Sequence, residues 1–294
     1  MTELSVLVDR VAELKGKVVL CVGDAMLDRF VYGHVERISP EAPIPVLRIA
    51  REAAMLGGAG NVTRNLVALG AAPAFVAVVG DDDAGREIGR LLGEQAGIDP
   101  CLVVEARRQT TIKTRVFASA QQLLRADQET STPLSGLSID QVLERARGLI
   151  AQAGCVVLSD YGKGVLGGSV PAELIAATRA AGIPVVVDPK GTDYGRYRGA
   201  SVLTPNRKEL SEATAMSVDD DEAIVAACRH LIERHGLGAV LATRSQDGMT
   251  LVEAAGEVHH LPAEAREVYD VSGAGDTVVA ALAAALASGA SLLE

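Results

Sequence analysis

The stretch Ile183-Pro184-Val185-Val186-Val187-Asp188-Pro189-Lys190-Gly191 decides the fold. Val185 to Val187 are apolar on both faces of a strand, as in a parallel sheet covered by helices on each side. Asp188-Pro189 ends the run. Outward from it the same rhythm repeats: strands read at 155–159, 184–188, 200–203 and 238–243, alternating with helices at about 139–152, 170–181, 206–214 and 221–235. The alternation predicts an α/β fold, a mostly parallel sheet flanked by helices. Ligands of such sheets bind outside the carboxyl ends of the strands, and nearly every unusual residue of this chain falls there.

The first half departs from the rhythm. Lys17 to Val22 reads as a buried strand ending at Gly23-Asp24. Residues 31–50 alternate and are broken by three prolines, Pro40, Pro43 and Pro45, which predicts short, partly exposed strands. Gly57 to Leu69 reads as a helix with a glycine-rich start, Phe75 to Val79 as a strand and Ala84 to Gln95 as a helix. Thr110 to Ala118 and Gln121 to Ala126 read as a second strand pair. The two irregular pairs, about 31–50 and 110–126, are expected to form a small sheet over one end of the main domain. Without an internal repeat or linker, residues 1–294 read as a single domain.

The 28 basic residues are outnumbered by 38 acidic ones, net −10, with no basic block. That argues against a nucleic-acid or anionic-membrane binder. Any phosphate site must be built from a few placed cations and backbone amides. The cysteines, Cys21, Cys101, Cys155 and Cys228, lack metal-ligand spacing, and Cys21 and Cys155 lie in apolar strand-like runs. A reduced, cytoplasmic protein is the expectation. Residues 1–16 do not read as a signal peptide, and the apolar run Thr277 to Ala287 is too short to span a bilayer. The five histidines show no triad or metal spacing.

The chemistry concentrates in Val268-Tyr269-Asp270-Val271-Ser272-Gly273-Ala274-Gly275-Asp276-Thr277. The glycines turn the chain, and the Ala- and Leu-rich run after them predicts a helix. Its first amides have no partner inside the helix and carry partial positive charge, so Gly273, Ala274 and Gly275 can form an anion hole. Asp276 in the first turn could take the proton from a hydroxyl attacking a phosphoryl group, or be only a favourable charge at a helix start.

The other strand ends carry further candidates. Asp24 and Asp28 could accept hydrogen bonds from sugar hydroxyls or simply be turn acids. Gly57, Gly58 and Asn61 open a helix, with Asn61 placed to bond a polyol. Asp160 and Lys163 follow a strand in Asp160-Tyr161-Gly162-Lys163-Gly164. That is not a P-loop, since Gly164 stands where Ser or Thr is required. Lys190 ends the next strand. Asn206-Arg207-Lys208-Glu209 reads either as a capping box or as an element holding the waters of a magnesium ion. The turn Thr243-Arg244-Ser245-Gln246-Asp247-Gly248 could line an adenine pocket or be a surface turn.

Gly57-Gly58 with Asn61, Asn206-x-x-Glu209, and Asp270-Val-Ser-Gly273-Ala-Gly275-Asp276, in this order, resemble the ribokinase-like (PfkB) carbohydrate kinases. Val22 to Arg29, Arg37 to Pro43, Gln121 to Arg125, Asp160 to Gly164 and Thr243-Arg244-Ser245 are similar to the kinase domain of bacterial heptose-7-phosphate kinases, which serve ADP-heptose and lipopolysaccharide core synthesis. The resemblance implies a Rossmann-like domain with a β-lid. It implies transfer of the ATP γ-phosphate to O1 of D-glycero-β-D-manno-heptose 7-phosphate, with magnesium and, as a further candidate, a monovalent cation. Asp276 would be the base and the 273–275 amides the anion hole. Asn206 to Glu209 would form the ATP and magnesium element, with Thr243, Ser245 and Gly248 on the nucleotide side. Asp24, Asp28, Gly57, Gly58 and Asn61 would hold the sugar, with Lys113, Arg115, Asp160, Lys163 and Lys190 completing the substrate site. A homodimer through the lid is also implied.

Ser245 departs from the glycine common in the wider family, although heptose kinases also carry Ser there. The chain ends just after the helix that Asp276 opens, where family members continue, and the adenylyltransferase half of fused relatives is expected to be absent. Other readings are a PfkB kinase for another sugar or a nucleoside, and a truncated binder without turnover. Lys113, Arg115 and Arg125 favour a phosphorylated substrate.

Overall fold

The computed structural model describes residues 8, 10–263 and 273–293. Its centre is a nine-stranded sheet in the order β13-β12-β11-β10-β9-β8-β1-β4-β5. These strands are β1 (Val18–Gly23), β4 (Ala72–Gly80), β5 (Asp99–Glu105), β8 (Cys155–Ser159), β9 (Val185–Asp188), β10 (Val202–Leu203), β11 (Ala239–Thr243), β12 (Met249–Glu253) and β13 (Val258–Leu261). The seven from β11 to β5 run parallel, and β12 and β13 close one edge antiparallel.

Alternation along the strands builds two cores. Leu20, Val22, Leu158 and Val187 point to one face, where they pack with Val142 and Leu143 of α3 (Gly136–Ile150), Leu174 of α4 (Val170–Ala181), Leu210 of α5 (Arg207–Thr214) and Leu231 of α6 (Asp221–His235). Val19, Cys21, Val157 and Val186 point to the other, against Leu66 of α1 (Ala59–Ala68), Ile88 of α2 (Asp83–Glu94) and Val279 and Ala283 of α7 (Ala274–Ser288). Burying each such Val or Leu on both faces contributes roughly 1.5–3 kcal/mol, which fixes the three layers. The four cysteines are free, and Cys21, Cys155 and Cys228 are buried as small apolar side chains. Among the described residues no helix is long and apolar enough to cross a membrane.

Strand order reverses beside β1: the chain goes from β1 to β4 and β5 on one side, and to β8 and β9 on the other. This switch point opens a crevice at the carboxyl ends of β1 and β8, where Asp24 and Asp160 follow their strands.

A second sheet, ordered β3-β2-β6-β7, takes both irregular strand pairs. The short strands expected over 31–50 are in fact long: β2 (Ala25–Ile38) and β3 (Pro45–Gly58) have 14 residues each. The prolines fall in or beside the connection, where Ser39 N–H bonds Ile44 O at 2.8 Å, so they cap the hairpin instead of interrupting it. β2 therefore starts one residue after Asp24 and β3 ends on Gly57-Gly58, so both strands are rooted in the crevice. β6 (Thr111–Ala118) runs parallel to β2, and β7 (Gln121–Gln128) pairs with β6.

Candidate active site

Asp276 lies in the first turn of α7, and Val268 to Ser272 before it lie outside the described residues. Gly273 is the N-cap residue, with φ 78°, a left-handed backbone that glycine adopts without penalty. A Cβ there would also stand 2.6 Å from Asn61 Nδ2. Among the described residues no side chain caps this helix start, so the leading amides of Ala274 and Gly275 are open to a ligand.

The Asp276 carboxylate is 7% exposed and held from two sides. Asn61 Nδ2, on α1, donates to Oδ2 at 2.7 Å, and Tyr161 Oη, in the turn after β8, donates to Oδ1 at 2.5 Å. Burial raises its pKa above the ordinary carboxylate value; the two hydrogen bonds oppose the rise and the nearby Asp28 charge adds to it. Asp276 is a carboxylate tuned upward beside an anion-binding helix start. That is the arrangement a general base for a hydroxyl requires.

Asp24 and Asp28 divide their work. Asp24 is 1% exposed: Oδ2 accepts from the amides of Tyr161 (2.8 Å) and Lys163 (3.0 Å), and Oδ1 from that of Val165 (3.0 Å). These bonds anchor the turn that carries Tyr161, the turn-acid role that the sequence offered beside a sugar contact. Asp28, on β2, pairs with Arg115 of β6 at 2.7 Å and stands so close to Gly57 that a Cβ there would meet Oδ2 at 2.5 Å. Gly58 is the N-cap residue of α1. Asp160 is also structural: Oδ1 accepts from Gly162 N–H, and Oδ2 from Tyr197 Oη at 2.7 Å and from Arg196.

Beyond Asp28 the second sheet presents cations. Lys113 sits opposite Asp28 in register, with Lys163, Arg125 and Asp127 around it. Burial lowers the Lys113 pKa, and the charges of Arg125 and Lys163 add to the fall against the pull of Asp127 and Asp28. Lys163 itself pairs with Glu129 at 2.7 Å.

On the other flank, Asn206 and Glu209 form the capping box at the start of α5: Asn206 Oδ1 accepts from Glu209 N–H at 3.0 Å, and Glu209 Oε2 from Asn206 N–H at 3.1 Å. Glu209 Oε1 also takes Lys190 Nζ at 2.9 Å. Burial works against the Lys190 charge, but the bond to Glu209 and the charge of Asp188 hold the ammonium pKa above its usual value. Asp188, which the sequence reading left unassigned, is pushed up to about 8 by burial and then by the charges of Glu209 and Asp276. Its position at a strand end before a proline was the available signal. Arg207 reaches Asp247 at 2.7 Å, tying α5 to the turn after β11, while Lys208 pairs with Glu212 at 3.7 Å and is largely exposed. Thr243 N–H bonds Pro205 O, Ser245 sits in a left-handed backbone at φ 55°, and Gly248 closes the turn. Away from these residues, the β12–β13 hairpin brings ligand atoms of Glu253, Glu257 and His259 within 4.8 Å of one another, a group the spacing of the histidines did not disclose.

A switch-point crevice and a buried carboxylate at a glycine-started helix suit a phosphotransferase of the ribokinase-like α/β class. The family model for pfkB family carbohydrate kinases matches residues 17–294, and the chain belongs to that family, whose enzymes transfer phosphate to an alcohol acceptor. It is similar to the Bifunctional protein HldE of Paramagnetospirillum magneticum, 69% identical over 294 residues, which are 100% of this chain and 60% of that protein. The Bifunctional protein HldE of Rhodospirillum rubrum is 63% identical over 286 residues, 97% of this chain and 58% of the relative. The chain thus spans about three-fifths of the length of the curated relatives it matches. Among solved structures, the tetrameric inhibited form of phosphofructokinase-2 from Escherichia coli has a TM-score of 0.79 at 21% identity, covering 94% of this chain and 89% of that one. Arabidopsis thaliana ribokinase complexed with ribose and ATP has a TM-score of 0.70 at 22% identity, covering 95% and 88%. These two likenesses speak for the fold alone.

Proposed function

We propose that the chain transfers the γ-phosphoryl group of ATP to O1 of D-glycero-β-D-manno-heptose 7-phosphate. The observation that carries the choice of substrate is the cation group Lys113, Lys163 and Arg125 beside Asp28. Lys163 and Arg125 already pair with Glu129 and Asp127, so the charge left for a phosphate at the far end of the sugar to offset is that of Lys113, which burial disfavours and a neutral sugar would not balance. The relatives named Bifunctional protein HldE support the same reading.

In this reading Asp28, Asn61 and the turn Gly57-Gly58 hold the sugar, and Asp276 faces the hydroxyl to be phosphorylated. Asp276 accepts that hydroxyl's proton while the oxygen bonds the γ-phosphorus and the bond to the β-phosphate oxygen breaks, releasing ADP. The amides of Gly273, Ala274 and Gly275 would face the charge that accumulates on the transferring group. Asn206 to Glu209, Thr243, Ser245 and Gly248 flank the nucleotide, with Lys190 and Lys163 as cations at the strand ends.

The acidic pair of Asp188 and Glu209, with Lys190 as its cation, suits a hard divalent ion: the donors are oxygens, and burial followed by the charges of Glu209 and Asp276 raises Asp188, so a cation beside it would relieve both. Glu209 and Asn206 would hold magnesium through water, next to Asp188, and magnesium when bound neutralises phosphate charge. Two chains are proposed to pair through the second sheet, which acts as a lid over the sugar.

The test is ATP consumption over a panel of acceptors. Heptose 7-phosphate is expected to be phosphorylated far faster than heptose, ribose or fructose. Equal rates on the unphosphorylated sugars would remove the heptose phosphate and leave only the family activity.

A further inference from the structure

Two groups hold the Asp276 carboxylate, and they are chemically unequal. Asn61 Nδ2 on Oδ2 can only donate, whereas the Tyr161 hydroxyl on Oδ1 can donate or accept. Tyr161 also arrives on a fixed backbone. Its own N–H and that of Lys163 bond Asp24 Oδ2, and the neighbouring Gly162 N–H bonds Asp160 Oδ1 at 2.7 Å. Two buried carboxylates therefore pin the turn on either side of the tyrosine. Nothing in the transfer reaction as derived above uses this hydroxyl.

We propose that Tyr161 is a positioning residue for phosphoryl transfer: its hydroxyl, held on Asp276 Oδ1 by the Asp24-anchored turn, fixes the base and then follows the proton that the base receives. The inference rests on Asp276 being the base. Before transfer Tyr161 donates to the carboxylate. Once the sugar O–H bond breaks and an Oδ1–H bond forms, the phenol rotates and accepts from the new donor, remaining neutral throughout. A proton on Oδ2 would instead face the amide donor of Asn61, so Oδ1 is the oxygen that can keep it. Burial and the Asp276 charge hold the phenol well above its ordinary pKa, so it does not ionise. Among the described residues the titratable groups facing Asp276 are Asp28 on β2, Asp188 on β9, Cys21 on β1 and Tyr161. Among them only Tyr161 has a hydrogen bond to Asp276 in the structure.

The experiment measures kcat and KM against pH for wild type, Tyr161→Phe and a protein carrying 3-fluorotyrosine at position 161. Losing a hydrogen bond to the ionised form raises the Asp276 pKa. Activity needs the carboxylate, so for Tyr161→Phe the acid limb of kcat is expected to move up by on the order of one pH unit. Turnover at neutral pH falls while the KM for ATP stays near wild type. Fluorotyrosine keeps the shape and is a stronger donor, so it moves the limb the other way; it decides the matter if the Phe variant does not fold. In an Asp276→Asn background, Tyr161→Phe is expected to cost nothing further, because its effect passes through the base. Acid limbs that superimpose on wild type in both variants overturn the role of Tyr161. Retention by Asp276→Asn of more than about a tenth of turnover overturns the base itself, so the two failures are told apart.

Discussion

Asp276 meets two opposed demands: burial and Asp28 discourage its charge, while Asn61 and Tyr161 support it. Asp276→Asn keeps volume and polarity, and its stability cost is expected to be about 0.3–1 kcal/mol, the value of a charge at a helix start. Loss of a base removes on the order of 10²–10⁴ in turnover, or about 3–5 kcal/mol of barrier. The variant is expected to fold, bind ATP and sugar in a thermal-shift assay, and be nearly inactive. Asp24 makes the contrasting case. Asp24→Ala strands the three amides of Tyr161, Lys163 and Val165, and at about 1–3 kcal/mol for each unsatisfied donor the loss of stability in urea is expected to reach about 3 kcal/mol or more. A loss below about 1 kcal/mol would mean that water replaces the carboxylate. The helix starts that carry Asp276 and Asn61 were legible because glycine-rich helix starts announce themselves locally. The job of Asp24 was not, since its partners lie 137 to 141 residues away and are backbone atoms, which no side-chain pattern encodes. Tyr161 and Asp188 were missed for a related reason: each looks like an ordinary loop residue until the turn brings it to another acid.

At the scale of elements, α5 tests whether one residue can serve both a cap and a metal. Glu209 closes the capping box and pairs with Lys190, so the structural reading of Asn206-x-x-Glu209 is realised in hydrogen bonds. Glu209→Gln keeps an oxygen for the Asn206 amide, and stability is expected to change by less than about 1 kcal/mol. The magnesium concentration for half-maximal rate is expected to rise sharply. An unchanged magnesium titration would leave Glu209 with the cap alone. The central strands and α6 stood out in the sequence because strands covered on both faces are apolar throughout and α6 is well capped at both ends. β5 and β13 were missed, and both are edge strands. An edge tolerates Pro100 in β5 and the His259-His260 pair in β13, so their apolar pattern is diluted. The length of β2 and β3 was hidden by the same effect, since prolines in a hairpin connection resemble breaks in a strand.

For the whole molecule the open question is what covers the second sheet. Asp28 and Phe30 lie on one of its faces, where Phe30, Tyr32 and Phe117 stack with centroids 5.3–6.3 Å apart and extend outward from Asp28. Strand alternation puts Val31 on the opposite face, and register sets Val116 and Leu124 beside it. Leu124 is 57% exposed, and Val35, Ile49 and Leu123 of the same sheet are exposed as well. Exposed apolar residues gathered on one small sheet, with β3 and β7 as open edges, mark a contact surface. A second copy offers the same surface, and a two-fold pairing would cover both at once. Sedimentation at micromolar concentration is therefore expected to give a dimer. Leu124→Glu places a charge at the β7 end of the Val31–Val116–Leu124 row and is expected to yield a monomer with an unchanged main-domain core. Because β2 and β3 root the sheet in the crevice through Asp28 and Gly57, an unsupported lid should raise the KM for the sugar more than the KM for ATP. A wild-type monomer would show that the sheet closes over the sugar without a partner, and a Leu124→Glu dimer with normal sugar affinity would remove the Val31–Val116–Leu124 face from the pairing surface.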